Sequence, residues 1–202
     1  MALIHRATLR PTKLELLTDW LPGRSWYTGQ TGEQARVASY RFDDPAGAVG
    51  IETMLVRVGD GPVHQVPLTY RDAPLAGGDA WLLGTTEHSV LGKRWVYDGT
   101  GDPVYAAALA SAILGHTGQA EELVEGVERR APSMDIASTA PEDAVVPVVS
   151  EVVRVTGEDT VVIVTDTVEL TVARRPGAEL AGAVLTGTWP GLETPVALAS
   201  AR

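Results

Sequence analysis

Hydrophobic residues recur at helical spacing in three segments of the first 130 residues. The pattern predicts a helix over 13–21, where Thr12 has the side chain of an N-cap residue. A second helix is predicted over 103–114, because Asp102 can cap its first turn. A third helical segment, shorter and more acidic, is predicted over 119–127.

Alternation of apolar and polar residues predicts strands between the first two helices. Three runs, 36–42, 49–58 and 63–70, are separated by turns rich in Gly, Asp and Pro, and together they predict an antiparallel three-stranded meander. Two shorter strands are predicted at 81–85 and 94–97.

The last third of the chain changes to segments rich in Val and Thr, residues that favour strands. Strands are predicted at 148–155, 160–165 and 168–174, and 183–189 adds a fourth. These segments predict a small antiparallel sheet.

The sequence therefore predicts an α+β fold: an antiparallel β-meander with packed helices, followed by a small antiparallel β-sheet. The polar, Pro-containing stretch 131–147 is interpreted as a linker or long loop. The predicted division is an α+β unit at 1–130, this linker, and a β-sheet subdomain at 148–202.

Composition narrows the classes of function. The 202 residues include 16 Lys and Arg, 26 Asp and Glu and no Cys, for a net charge of −10. The acidic balance argues against nucleic-acid and membrane partners, which need basic patches, and the lack of Cys removes disulfides and thiolate metal sites. No signal peptide or spanning segment is recognised, so we expect a cytoplasmic protein.

Candidate chemistry in the sequence is sparse, and we expect no catalytic, cofactor-binding or metal-binding residues. The four histidines lie far apart and lack the spacing of metal ligands. Glu87, His88 and Ser89 are adjacent, whereas a catalytic triad is assembled from separate elements. Gly99–Gly101 precedes a predicted helix, but Asp98 and Asp102 already supply negative charge there, so no cofactor phosphate is expected.

Aromatic residues concentrate in the first hundred residues. An exposed aromatic platform can stack against sugar rings, whereas buried Trp and Tyr side chains belong to the core; we favour the core interpretation. The aromatic residues include Trp20, Trp26, Tyr27, Tyr40, Phe42, Trp81, Trp95 and Tyr97.

Several fragments, in order along residues 8–115, resemble the N-terminal cap region of maltokinases, enzymes that phosphorylate maltose from ATP and feed α-glucan synthesis. They include the segments 44–52, 65–71 and 87–98. The resemblance implies that unit 1–130 is cap-like. Its motif residues, which we expect to be structural, are Asp44, Pro45, Gly47, Glu52, Pro67, Tyr70, Arg71, Glu87, His88, Gly92, Arg94, Trp95, Tyr97, Asp98, Asp102 and Pro103.

A weaker resemblance at 158–177 implies a remnant of the kinase-like N-lobe sheet. Thr171 stands where the family has a lysine, and a threonine offers no charge to ATP phosphates. The catalytic C-lobe of a maltokinase would follow Arg202, so no catalytic residue carries over. The resemblance thus implies a pseudokinase-like, non-catalytic fragment.

Two classes of function follow as hypotheses. The first is a partner-binding or regulatory module linked to α-glucan or trehalose metabolism. The alternative is a protein that binds a small molecule, a sugar or a nucleotide. The ligand would lie between the cap and the C-terminal sheet, near Trp81 and Trp95. The enzymatic form of this alternative is a residual sugar phosphotransferase. An exposed strand edge in the Val- and Thr-rich sheet also suggests a homodimer.

Overall fold

The computed structural model describes residues 2–28 and 32–202. These residues form two α-helices, three short 3₁₀ turns and fifteen strands. The helices are α1 (Lys13–Trp20) and α2 (Pro103–Leu114). The 3₁₀ turns are Leu21–Gly23, Asp79–Trp81 and Gly99–Gly101. The strands are β1 (Ala2–Ile4), β2 (Leu9–Arg10), β3 (Gln34–Phe42), β4 (Gly50–Val58), β5 (His64–Arg71), β6 (Leu82–His88), β7 (Gly92–Asp98), β8 (Glu122–Val124), β9 (Glu128–Arg130), β10 (Asp135–Ser138), β11 (Val152–Thr156), β12 (Thr160–Thr165), β13 (Glu169–Ala173), β14 (Ala183–Trp189) and β15 (Leu192–Ala201).

The first sheet has six antiparallel strands in the order β2-β6-β7-β5-β4-β3. Its strands β3, β4 and β5 occupy the three runs predicted from alternation, and they are neighbours in chain order. The two shorter predicted strands correspond to β6 and β7, which pair with each other. Strand β7 then joins this pair to β5.

The second sheet also has six antiparallel strands, in the order β10-β14-β15-β13-β12-β11. It contains the four strands predicted in the last third of the chain, together with β10 and β15. A small third sheet, β1-β8-β9, includes one parallel pair, β1 with β8. Antiparallel sheets therefore dominate the architecture, and helices form a minor part of it.

The first sheet is covered on both faces. On one face, Met54 and Val66 pack with Leu17 and Trp20 of α1. The other face contributes to the main core, whose members include Tyr40 and Leu55 of the first sheet, Leu109 of α2, and Ile163 and Leu170 of the second sheet. Side chains alternate between the two faces of a strand, so one sheet can serve both clusters.

Helix α2 lies between the two six-stranded sheets. Asp102 is its N-cap and accepts a hydrogen bond from the Val104 backbone N–H at 2.9 Å, and Pro103 occupies its first turn. The helix contacts strands of both sheets, and Tyr105, Leu109 and Ile113 are fully buried. A helix without charged side chains and with apolar residues around most of its surface suits this position.

Gln65 on β5 links the two sheets through its buried amide. Its Nε2 donates to the backbone oxygens of Ala173 at 3.1 Å and Leu198 at 2.9 Å, both in the second sheet. Its Oε1 accepts from the Tyr40 hydroxyl at 3.3 Å, and its backbone N–H donates to the Arg174 oxygen at 2.7 Å. The sequence analysis did not identify this residue.

The helix predicted over 119–127 is wrong. This segment contains β8, in which Val124 pairs with Ile4 of β1 and is buried. A turn at Glu125 and Gly126, both with positive φ, then leads into β9. Pairing with a distant strand overrides the local helical preference of this acidic segment.

Two further strands differ from the sequence predictions. Strand β10 lies inside the segment 131–147, which was interpreted as a linker, and pairs with β14. Strand β15 was not predicted, because Pro195 interrupts the run of strand-forming residues in 192–201. Near Pro195 the pairing of β15 with β14 is irregular, with a register shift between Gly187 and Trp189 of β14. The proposed boundaries of the three chain segments stay predictions. In the described part of the chain, no helix has the length and apolar character needed to cross a membrane.

Candidate functional site

A cleft of about 210 Å³ lies where the first sheet meets the β11–β12 hairpin of the second. Tryptophan side chains from three places in the first 81 residues line it: α1, the loop after the first 3₁₀ turn, and the second 3₁₀ turn. The turn between β11 and β12 supplies the opposite wall. The side chains that matter most are Trp20, Arg24, Trp26, Trp81, Glu158 and Arg174.

The ion pair of Arg174 and Asp98 lies at the base of this cleft. Arg174 follows β13, is only 3% exposed and donates from Nη2 to Asp98 Oδ2. Asp98 ends β7, and its Oδ1 accepts from the Thr100 backbone N–H at 3.1 Å and hydroxyl at 2.9 Å. The two charges thus join the second sheet to the first.

Part of the Arg174 guanidinium is not hydrogen-bonded. Nε and Nη1 are buried and have no hydrogen-bond partner among the described residues. The guanidinium carbon lies 4.8 Å from the centroid of the Trp26 ring. This cation–π contact offsets part of the free energy lost by burying unpaired N–H groups.

A second buried charge network surrounds Asp102. Arg71 donates from Nε and Nη2 to its two carboxylate oxygens, each at 2.7 Å, and Thr69 donates its hydroxyl at 2.8 Å. Asp102 also caps α2. One carboxylate therefore fixes the position of α2 on strand β5.

Glu52 is the centre of a third network, on the α1 side of the first sheet. It accepts from Lys13, from Arg41 at 2.9 Å and from the Tyr70 hydroxyl at 2.9 Å. Burial alone raises the pKa of Glu52, but the nearby Arg41 and Lys13 charges and the hydrogen bonds from Lys13 and Tyr70 outweigh it and lower this pKa to about 2.

The pKa values of Lys13 and Tyr70, two hydrogen-bond partners of Glu52, are shifted by the same burial and charges. Burial lowers the pKa of Lys13 despite the attraction of Glu52. Burial and the Glu52 charge both raise the pKa of the Tyr70 hydroxyl. Glu52 is thus ionised at neutral pH, while Tyr70 keeps its proton.

Several other motif residues fix turns or strand ends. Asp44 accepts three backbone N–H groups, from Ala46, Ala48 and Val49, and so closes the loop that includes Pro45 and Gly47. The Tyr97 hydroxyl accepts the Leu75 backbone N–H at 2.8 Å. Pro67 lies in β5 opposite Thr53.

The segment 87–98 divides between two regions. Glu87, His88 and Gly92 lie at the hairpin end of β6 and β7, and His88 Nδ1 accepts backbone N–H groups of Val90 and Leu91. Asp98 alone reaches the cleft. Burial and the neighbouring His5 lower the pKa of His88.

The alternative hypothesis placed a small-molecule site near both Trp81 and Trp95, and the structure puts these two residues in different places. Trp81 lines the cleft, whereas Trp95 does not. Trp95 lies on β7 opposite Thr85 and carries the Lys93 ammonium 4.8 Å above its ring, and Arg94 is opposite Thr86. Trp81 and Trp95 therefore contact different parts of the fold.

Thr171 lies in the middle of β13, opposite Val162 and Ser200. Its neighbours Leu170 and Val172 belong to the main core, so alternation places Thr171 on the other face of the second sheet. Thr171 is not among the residues that line the cleft.

Among residues 2–28 and 32–202, no group of three or more His, Cys, Asp or Glu side chains could hold a metal ion. His64 is buried, its ring lies 5.8 Å from that of Trp26 and 5.3 Å from that of Tyr27, and burial followed by the Arg175 charge lowers its pKa.

The sequence analysis missed three cations and one amide that have buried partners. Gln65 and Arg174 bind across the two large sheets, whereas Lys13 and Arg41 bind Glu52 on the α1 side of the first sheet. Gln65, Arg41 and Arg174 each lie next to apolar residues in the sequence. A charged or amide residue beside apolar residues is a signal of a buried polar partner, but the sequence does not say which partner.

Comparison with known families identifies the first part of the chain. Residues 20–102 match the maltokinase N-terminal cap domain. The match confirms the resemblance to the maltokinase cap region and includes most of the first sheet, from β3 to β7. A search of curated proteins found no match to the chain.

Asp98 and Asp102 lie inside the segment that matches the cap domain, but some of their hydrogen-bond partners lie outside it. Arg174, the partner of Asp98, lies far beyond residue 102. The sheet that contains the matched segment is therefore anchored to the second sheet by a contact that the matched segment alone does not contain.

Proposed function

We propose that this protein is a non-catalytic module of the maltokinase cap type that binds a protein partner in α-glucan or trehalose metabolism. The cap-domain match at residues 20–102 supports the link to this metabolism. The module would act by docking and regulation, with its two sheets as a rigid scaffold.

The observation that carries this proposal is the internal use of the motif carboxylates. Glu52 is bound by Lys13 and Arg41, and Asp102 by Arg71. Asp98 is bound by Arg174 in the same way. Carboxylates whose oxygens are engaged by cations of the same fold serve its stability, because those oxygens are not free to contact a substrate.

The groove beside α2 is the surface that we assign to the partner. It has a volume of about 670 Å³ and lies between α2, the loop after β3 and the segments 117–121 and 149–150. Phe42, Val104, Ala107, Ala108 and Val149 provide its apolar lining. Apolar concave surfaces rimmed by polar residues are typical of interaction sites.

Direct binding between purified proteins tests the proposal. The full chain is immobilised and titrated with a purified maltokinase and with a purified enzyme that acts on trehalose, and the dissociation constant is measured by biolayer interferometry. We expect saturable binding to one of them. Ala108→Glu should weaken it at least about tenfold by placing a charge in the apolar groove. Ala73→Glu, on an exposed turn, is the matched control.

Absence of binding to both enzymes would contradict the partner hypothesis. A second assay tests the non-catalytic part: the protein is incubated with ATP and maltose at high concentration, and the products are analysed by mass spectrometry. We expect no maltose phosphate. Its formation would instead establish the residual phosphotransferase.

A further inference from the structure

We propose that the groove beside α2 binds an extended peptide segment of the partner, with apolar residues in its middle and Lys or Arg residues at its ends. The inference rests on the proposed function, because it names the chemistry of the partner segment at the same surface. Three features of the groove carry it: its apolar floor, the sign of its charges, and the backbone of the chain segment that reaches it.

The floor of the groove is one face of α2. Val104, Ala107 and Ala108 line it and are half-buried, whereas Tyr105 and Leu109 are fully buried in the main core. The two large sheets therefore leave this face of the helix partly open. Covering its apolar side chains removes them from water, which favours the binding of apolar groups.

The charged side chains that line the groove, in the described part of the chain, are all acidic: Asp43, Asp44 and Glu121. The backbone N–H groups that Asp44 accepts fix the position of its carboxylate without removing its charge. Glu121 meets Arg129 at 3.0 Å, but both side chains are more than half exposed, so water screens this pair. The groove thus favours cationic groups over acidic ones.

The net charge of the whole chain acts in the same direction. With 16 Lys and Arg against 26 Asp and Glu, the chain carries a charge of −10, which attracts a basic segment and repels an acidic one. This attraction extends over the whole surface. The apolar middle of the segment is therefore needed to direct it to the groove.

The chain segment 144–149, which reaches the groove at Val149, favours a peptide in extended form. It lies outside the helices and strands, and it contains four valines whose backbone N–H groups donate to no group in the described part of the chain: Val145, Val146, Val148 and Val149. Val145 and Val148 are 84% and 79% exposed. An extended peptide can pair its main chain with such N–H groups and lay apolar side chains on the valines, whereas a helix has already used its own carbonyl groups.

The volume of the groove limits what the partner inserts. Its volume of about 670 Å³ lies within the roughly 300–1,000 Å³ that is typical of pockets for drug-sized molecules. Such a space holds a few apolar side chains and not a folded domain. We therefore assign a short apolar run with basic residues on either side of it.

Synthetic peptides test this chemistry without an enzyme partner. The basic probe is Lys-Lys-Val-Ile-Val-Ile-Lys-Lys with an N-terminal fluorophore, and its binding to the full chain is measured by fluorescence polarisation. Two control peptides change one property each: Glu replaces every Lys in the first, and Ser replaces every Val and Ile in the second. We expect saturable binding of the basic probe in the micromolar range, and both controls should bind at least about tenfold more weakly.

Variants at Ser111 locate the site and test the sign of its charge. Ser111 is a half-buried groove residue near the C-terminal end of α2, where the helix dipole tolerates a lysine. Ser111→Lys should weaken binding of the basic probe at least about fivefold, and the uncharged Ser111→Gln by about twofold at most. Ala73→Lys adds the same charge on an exposed turn outside the groove lining and should change the affinity less than about twofold.

Several results would overturn the inference. These are equal binding of the basic and acidic peptides, equal binding of the basic probe and its serine control, and equal effects of lysine at positions 111 and 73. A dimer of the free protein in analytical ultracentrifugation that Ser111→Lys dissociates would also overturn it, because a second copy of the chain would then occupy the groove.

The same variants separate this inference from the proposed function. If an enzyme in the partner titrations binds Ser111→Lys as tightly as the parent protein, the inference fails and the partner hypothesis stands. If neither enzyme binds but the peptides show the expected order of affinities, the partner hypothesis fails and the chemistry assigned to the groove stands.

Discussion

Arg174 and Asp98 form a buried ion pair that joins the two large sheets of the protein. Arg174 comes from the end of β13 and Asp98 from the end of β7, 76 positions earlier in the chain. Both side chains are less than one-tenth exposed. The pair lies within hydrogen-bond reach of Thr100, which turns the chain toward α2.

Replacing Arg174 with Met should destabilise the protein by about 3–5 kcal/mol, because Asp98 would remain as a buried charge without its partner. The free energy of unfolding is measured by urea denaturation with tryptophan fluorescence. The double variant Arg174→Met with Asp98→Asn should recover part of the loss, since neither charge then remains.

Arg175→Met is the matched control for this prediction. Arg175 is exposed and donates to the Thr28 hydroxyl, at 3.0 Å. We expect a change within about 0.5 kcal/mol. Equal effects at positions 174 and 175 would contradict the role assigned to the buried pair.

Gln65→Leu should cost about 2–3 kcal/mol of unfolding free energy. Leucine fills much of the same space but leaves the Ala173 and Leu198 carbonyls without their donor. The free energy is again obtained by urea denaturation. Gln119→Leu loses one hydrogen bond, to Met134, in a less buried setting and should cost less.

Two substitutions at Asp102 should separate helix capping from ion pairing. Asn keeps the ability to cap α2 but loses the charge that holds Arg71, so Asp102→Asn should cost about 2 kcal/mol. Asp102→Ala loses both functions and should cost about 1 kcal/mol more. Thermal and urea denaturation measure the difference, and identical values for the two variants would be inconsistent with a capping role.

Acidification should destabilise the protein through Glu52. Because its pKa is about 2 in the folded protein, below the ordinary value of 4.5, Glu52 contributes stability that is fully present above about pH 5 and is lost as the pH falls toward 2. The shift corresponds to about 3 kcal/mol. Urea denaturation between pH 6 and about pH 3 measures the slope of stability against pH.

Glu52→Gln should flatten this slope, because the substituted side chain does not titrate. It should also be less stable than the parent at neutral pH, where Lys13 and Arg41 lose their counter-charge. Glu193→Gln, at an exposed position, should leave the slope unchanged. If the stability of Glu52→Gln fell with pH as steeply as that of the parent protein, other carboxylates would be responsible for the acid sensitivity.

The elements with strong local signals were predicted correctly from the sequence. The two helices begin directly after their predicted capping residues, Thr12 and Asp102. The alternating runs correspond to β3, β4 and β5. These signals depend on neighbouring residues only, so they can be detected without knowing the fold.

The failures share a physical cause. Strand β8 exists because Val124 pairs with Ile4, more than a hundred positions away, and β15 continues past Pro195 because β13 and β14 flank it. Their local sequences favour a helix or an interruption, and pairing with distant strands decides otherwise.

The sequence by itself determined the cap-type family resemblance, the positions of the two helices and the acidic, cysteine-free character of the chain. Only the tertiary structure decided that Asp98 meets Arg174 and that Trp81 joins Trp20 and Trp26 while Trp95 stays apart. Local patterns fix secondary structure through short-range contacts. A buried charge or a cleft depends on which distant segments pack together, because only that packing removes their side chains from water.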